Sequence, residues 1–192
     1  MTGVGELVLL RHGETEWSAA GRHTSHTDLE LTGNGEKQAR ALAPAVSTRS
    51  FAAVISSPRR RAIRTAELAG LTVTAVDDDL AEWDYGEYEG VTTGEIRAHR
   101  PDWSLWTDGA PGGESPEQIG ARVDRVLAQL RPILIDGDIA LVGHGHALRV
   151  LGARWVGLPP SAGGLLTLDT ATLSALGFEH GRPVISQWNA PI

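Results

Sequence analysis

The sequence predicts a three-layer α/β/α sandwich around a mainly parallel sheet. Three observations predict it. Short apolar runs without alternation recur at residues 6–10, 53–56, 73–76 and 139–142, as in strands buried on both faces. Helical patterns separate these runs, and alternating strands and helices give a parallel sheet covered on both sides. The chain has 192 residues, enough for one large core, and no repeat, linker or low-complexity tract divides it. One domain is therefore expected over residues 1–192, with a loop-rich segment at about 80–114 in the position of a lid.

The elements follow in order. The strand at 6–10 feeds a loop that opens Arg11-His12-Gly13. Residues 32–46 read as a helix capped by Thr32, with an alanine- and leucine-rich face. After the strand at 53–56, Ser57 is expected to cap a helix that has Pro58 in its first position, runs to Ala69 and stops at Gly70. A third strand covers 73–76. Residues 80–114 are rich in glycine and proline and hold at most a short helix near 93–100. They carry Trp83, Trp103 and Trp106, expected as packing. Ser115-Pro116-Glu117-Gln118 is a capping box with proline at the first helical position. Ile119, Val123, Val126, Leu127 and Leu130 continue that helix at core-facing spacing. The strand at 139–142 ends in Gly143-His144-Gly145-His146, with a helix over 147–155 behind it. Two tail strands, about 173–178 and 184–188, turn at His180-Gly181.

Composition narrows the function classes. A hydrophobic fraction of 41% and a charged fraction of 21% are those of a soluble globular chain, and no apolar stretch is long enough to span a bilayer. Residues 1–10 lack the basic start and cleavable apolar core of a signal peptide, so a cytoplasmic location is expected. Cysteine is absent, which removes disulfides and thiolate metal sites. A net charge of −7 argues against nucleic acid and anionic membranes as partners. Lys37 is the only lysine, so the positive charge is nearly all arginine, whose planar fork suits phosphate. Most of that bias is read as genome composition; the placement of a few arginines matters more.

In doubly wound sheets, ligands bind outside the carboxyl ends of the strands. His12 and His144 both follow such ends, so both are placed at the binding edge. An arginine beside a histidine there pairs an anion clamp with a nucleophile or base, and Gly13 permits the turn that exposes the histidine. Taken alone, a His-Gly pair is more often a satisfied loop histidine.

The pair is not alone. Arg11-His12-Gly13-Glu14-Thr15 is followed by Trp17, by Gly21-Arg22-His23-Thr24-Ser25-His26-Thr27-Asp28, and by Leu31-Thr32 with Gly35. Then come Ser56-Ser57-Pro58-Arg59-Arg60-Arg61-Ala62 with Thr65-Ala66, Glu82-Trp83-Asp84-Tyr85-Gly86-Glu87-Tyr88-Glu89-Gly90, and Val142-Gly143-His144-Gly145. In this order the motifs resemble the histidine phosphatase superfamily, and the resemblance spans most of the chain. It implies a phosphoglycerate mutase-like fold. It also implies that His12 is the nucleophile and forms a phosphohistidine, that Arg11, Arg61 and His144 surround the phosphoryl oxygens, and that Glu82 serves as acid and then base. Ser18, Thr24, Ser25, Arg59 and Gly145 are expected to contact substrate. His23 and His26 stand between pocket lining and surface loop, His146 is expected behind the catalytic histidine, and His99 and His180 at the surface.

The chemistry needs neither metal nor cofactor: phosphoryl transfer asks chiefly for positioning and charge stabilisation, which two arginines and a histidine supply. The roles imply a neutral His12 beside a cationic His144, and a protonated Glu82 that favours mildly acidic pH.

Within the family the contest is between phosphatase and mutase. Mutases carry a long basic insertion after the acid glutamate and an asparagine at the position of Ser18. Here 91–114 is short and offers only Arg97 and Arg100. The stretch from Glu82 to Gly90 looks like the branch of broad-specificity acid phosphatases and sedoheptulose-bisphosphate phosphatases, so the expected partner is a small phosphorylated metabolite such as a sugar phosphate. Alternatives are a phosphoglycerate mutase, a non-catalytic phosphate-binding relative, and a metallohydrolase using His12, His23, His144 and His146, for which no ligand motif such as His-Glu-x-x-His exists. The family includes monomers, dimers and tetramers, so a homodimer is compatible with it.

Overall fold

The computed structural model describes residues 4–191; Met1–Gly3, part of the stretch read above for a leader, and Ile192 lie outside the described residues. One sheet organises the chain, with strands in the order β3-β2-β4-β1-β5-β6. They are β1 Leu7–Arg11, β2 Phe51–Ser56, β3 Ala75–Val76, β4 Asp138–Gly143, β5 Leu173–Glu179 and β6 Arg182–Ala190. The pairs β3·β2, β2·β4 and β4·β1 are parallel, while β1·β5 and β5·β6 are antiparallel. The helices are α1 Glu16–Ala19, α2 Gly33–Ala41, α3 Ala43–Ser47, α4 Arg60–Leu68, α5 Thr93–His99, α6 Leu105–Asp108, α7 Pro116–Leu130 and α8 Gly145–Trp155. No helix among the described residues is long and apolar enough to cross a membrane.

The central strands are apolar throughout because they face two cores. Leu7, Leu9, Ile139 and Leu141 pack with Ile119, Val123 and Val126 of α7 and Leu148 and Leu151 of α8. Val8, Leu10 and Val142 point the other way, onto Leu42, Val46 and Ala62 and Ala66 of α4. Leu7 to Leu10 and Ile139 to Val142 are all 0% exposed. Removing one such leucine side chain typically costs about 2–5 kcal/mol.

Several boundaries differ from the sequence reading. The helix expected over 32–46 begins at its Thr32 cap but breaks at Leu42. Pro44 enters the first turn of α3, where it has no N–H to continue α2. Ser57 does not cap α4; the cap is Arg59, with no side-chain cap bond, and α4 starts at Arg60. The Ser57 hydroxyl lies instead 2.7 Å from His144 Nε2. The third strand shrinks to Ala75–Val76, and α8 starts at Gly145 rather than 147. The one-turn helices α1 and α6 carry no sequence period and were not expected. The tail hairpin does turn at His180-Gly181, both at positive φ (48° and 77°), as a tight two-residue turn requires.

Candidate active site

The sheet register sets the site. Arg11 of β1 stands opposite Gly143 of β4, so His12 and His144 leave adjacent strands together. The His12 N–H donates to Gly143 O at 3.0 Å, and the two rings meet edge-on with centroids 5.1 Å apart. Gly13 is required here, since a Cβ on it would lie 2.4 Å from Gly35 O. The Gly13 N–H donates to Thr65 Oγ1 at 3.0 Å, and that hydroxyl donates to Arg61 O at 2.8 Å, tying the loop to α4.

His12 has a defined tautomer. Its Nδ1 lies 2.7 Å from Gly13 O, which can only accept, so Nδ1 carries the hydrogen and Nε2 keeps its lone pair. Burial, then Arg61 and Arg11, holds the ring well below the usual histidine range. His144 is pushed the same way by burial, then by Arg61, His12, Arg59 and Arg11. This differs from the expected cationic His144: in the unliganded chain burial, reinforced by the guanidiniums of Arg61, Arg59 and Arg11, favours the neutral ring. The Ser57 hydroxyl accepts a long 3.4 Å bond from the Arg59 N–H and keeps its own hydrogen for His144 Nε2. A hydroxyl hydrogen given to Nε2 leaves the ring's own hydrogen on Nδ1.

The arginines are held by backbone carbonyls, not by acids. Arg61 is 0% exposed and donates to Thr27 O at 3.0 Å and Thr24 O at 3.2 Å. Its nearest carboxylate, Asp28, is 4.0 Å away. Arg11 donates to Leu168 O, and a Cβ at Gly145 would lie 3.3 Å from its Cζ, so the glycine gives the guanidinium room beneath α8. Among the described residues, the buried side-chain nitrogens without a partner are Arg11 Nε, Arg59 Nε, Arg61 Nε, His144 Nδ1 and His23 Nδ1. Buried polar atoms are normally paired. Three of these five nitrogens belong to Arg11, Arg61 and His144, the residues expected around the phosphoryl oxygens.

Glu82 forms the facing wall and is 6% exposed. Its Oε1 accepts from the N–H groups of Trp83 (2.9 Å) and Ala147 (2.8 Å), and its Oε2 from that of His146 (3.0 Å). The carboxylate thus sits on the first turn of α8, where free N–H groups and the helix dipole favour an acceptor. A cleft of about 680 Å³, including its open mouth, runs past His12, Arg11 and Glu82 to Arg22, Tyr85, His146 and Arg149. No three His, Asp or Glu side chains among the described residues gather as a metal-holding group.

Residues 7–191 match the family model described as the histidine phosphatase superfamily (branch 1). The chain belongs to the histidine phosphatase superfamily. It is 48% identical over 177 residues to an acid phosphatase of Mycobacterium tuberculosis, covering 91% of this chain and 87% of that one. It is 36% identical over 182 residues to the sedoheptulose 1,7-bisphosphatase of Saccharomyces cerevisiae, covering 79% and 67%. A solved structure of a functionally characterised Mycobacterium tuberculosis open reading frame superposes with a TM-score of 0.95 at 44% identity, covering 97% of this chain and 98% of that one.

Within this family frame the structure brings His12, Arg11, Arg61, His144 and Glu82 together and sorts the expected contact residues. Gly145 and Thr24 line the cleft. Ser18 lines it too, but its hydroxyl is engaged: it accepts from the Thr15 N–H at 2.8 Å in a capping box that starts α1. Ser25 is 1% exposed and lies outside the cleft; its hydroxyl donates to Glu82 O at 3.3 Å and its N–H to Glu89 at 2.9 Å. Both serines therefore shape backbone rather than present hydroxyls. Arg59 leans on His26 at 3.3 Å and does not line the cleft. His23 is buried and lines the cleft, whereas His26 is exposed and pairs with Asp84 at 3.2 Å. Trp83 and Trp103 pack in the core.

Sequence reasoning gave Ser57 only a helix-capping role and gave Tyr85 and Arg149 none. Arg149 had a readable signal, since it stands four residues after Gly145 on the same face of α8. Its guanidinium lies 4.4 Å over the Trp106 ring and donates to Gly163 O at 3.0 Å.

Proposed function

We propose that the protein is a metal-independent phosphomonoester hydrolase of the acid phosphatase type, acting through a phosphohistidine on His12. Its substrates are small phosphorylated metabolites such as sugar phosphates, and the whole chain serves this site as one domain. One observation carries the reading: unpaired buried nitrogens of Arg11, Arg61 and His144 gather around a histidine whose Nε2 is free and unprotonated.

His12 Nε2 attacks phosphorus, a P–N bond forms, and the P–O bond to the alcohol breaks. Arg11, Arg61 and His144 Nδ1–H hold the three phosphoryl oxygens. Glu82 gives its proton to the leaving oxygen, which departs as the alcohol. The Glu82 carboxylate then takes a proton from water, whose oxygen attacks phosphorus. The P–N bond breaks and inorganic phosphate leaves. Hydrolysis is favoured over transfer because the basic residues of 91–114 turn away from the cleft. Arg97 is spent on Trp103 O (3.0 Å) and Arg100 on the Tyr88 hydroxyl (3.1 Å).

The test is hydrolysis of an aryl phosphate by wild type and His12→Ala, with and without chelator. Turnover that survives chelator and disappears in the variant is expected, together with an acid-labile phosphoenzyme. Turnover retained by His12→Ala sinks the reading. A phosphoenzyme that passes its phosphoryl group to an added phosphoglycerate faster than to water returns the mutase.

A further inference from the structure

Beyond the phosphoryl pocket the cleft opens into an outer chamber that the steps above do not use. There the His146 ring is fixed on every side. The Tyr85 hydroxyl lies 2.6 Å from its Nδ1. Trp106 meets the ring edge-on at 5.2 Å, and His23 lies 6.2 Å away. Its backbone N–H is committed to Glu82. Burial, then Glu82, holds the Tyr85 phenol well above its usual range, so it keeps its hydrogen and has one to give. Burial, then Arg149, His23 and Arg11, holds His146 well below its usual range, so the ring is neutral. A neutral imidazole that accepts at Nδ1 carries its hydrogen on Nε2.

We infer that His146 is a specificity-determining residue: locked by Tyr85 as an Nε2–H donor, it holds a hydroxyl oxygen of the alcohol part of the substrate. The surrounding chemistry agrees. Arg149, Arg22, Thr24 and Thr93 line the same cleft. Leu168 is the single aliphatic side chain that lines the cleft among the described residues. A wall of donors matches an oxygen-rich alcohol and leaves its buried polar groups unpaired against an apolar one, which is how sites discriminate strongly. The substrate class is therefore a polyhydroxylated phosphomonoester. The inference rests on the phosphatase reading and deepens it.

A hexose 6-phosphate and cyclohexylmethyl phosphate test it, since both release a primary alcohol on a six-membered ring and only the first carries hydroxyls. Wild type is expected to favour the hexose ester in kcat/KM. Tyr85→Phe and His146→Phe should cut that preference about tenfold, through KM, as loss of one well-made hydrogen bond does. His146→Gln, which keeps an N–H donor, should restore part of it. Nitrogen-15 shifts of the His146 ring should place the hydrogen on Nε2 in wild type and on both nitrogens in Tyr85→Phe. The inference is overturned by a wild type without preference, by equal loss of both esters in Tyr85→Phe, or by a hydrogen on Nδ1. Failure of the phosphatase reading looks different: His12→Ala would then retain turnover of both esters.

Discussion

The two ends of the cleft are built on different principles. At the inner end, Arg11, His12 and His144 leave adjacent strands, and Arg61 is clamped by three carbonyls of one loop, those of Thr24, Ser25 and Thr27. Backbone contacts position most of these groups; the Ser57 hydroxyl at His144 Nε2 is a side-chain partner, and the nearest carboxylate to Arg61, that of Asp28, stays 4.0 Å away. At the outer end, Arg22, Tyr85, Thr93, His146 and Arg149 come from loops and helices and have mixed partners: Tyr85 meets His146 and Arg149 stacks on Trp106, while Arg22 and Arg149 also donate to the carbonyls of Gly90 and Gly163. The inner end can therefore stay fixed while the outer end changes alcohol specificity one side chain at a time.

The comparison breaks first at Arg61. Arg61→Ala removes a preorganised donor and strands three carbonyls, so kcat/KM for an aryl phosphate should fall about 10³-fold and the Tm should drop as well. Loss of activity alone, with Tm unchanged, would show that the loop does not need the guanidinium. Arg149→Ala sharpens the contrast at the other end. There KM for a sugar phosphate should rise about tenfold while kcat changes less than twofold, because uniform binding is lost rather than transition-state contact.

The buried histidines add a pH signature. His12, His144, His146 and His23 are all shifted down, with burial the largest cause. Unfolded, they titrate near 6.5. Below that pH the unfolded chain binds more protons than the native one, so stability is full above about 6.5 and is lost as pH falls toward the folded values, by up to about 1.4 kcal/mol per pH unit for each histidine. The Tm should fall from pH 7 to pH 5. Over the same range the His12 nucleophile stays neutral, so kcat/KM should show no acid limb near 6.5. An acid limb there would place the His12 pKa at its ordinary value. The smallest effect is expected at Ala171, held at φ 51° with its N–H shared between Arg11 O and His12 O. Ala171→Gly relieves that backbone and should change stability by no more than about 1 kcal/mol, with activity retained.

This contrast also explains what the sequence made legible. Strand ends are local: an apolar run that stops at Arg11-His12 or at Gly143-His144 announces its own position, and the inner end followed from two such runs. Side-chain partnerships are not local. Ser57 before Pro58 has the composition of a helix cap, and nothing nearby signals that its hydroxyl serves a histidine 87 residues away. Ser18 lines the cleft as expected, but nothing in the sequence signals that its hydroxyl also closes a capping box with Thr15. His144 was expected as a cation from the chemical role of the pair, and its full burial, reinforced by the neighbouring guanidiniums, favours the neutral ring. The break in the helix at Leu42, by contrast, was readable from Pro44.

One feature of Glu82 reaches further. The residue opens the loop-rich segment expected to cover the cleft, yet its carboxylate is bolted to the start of α8 by two N–H groups, and α8 begins directly after His144. Glu82 is therefore a joint of the fold as well as an acid, and Glu82→Ala should lower the Tm as well as turnover.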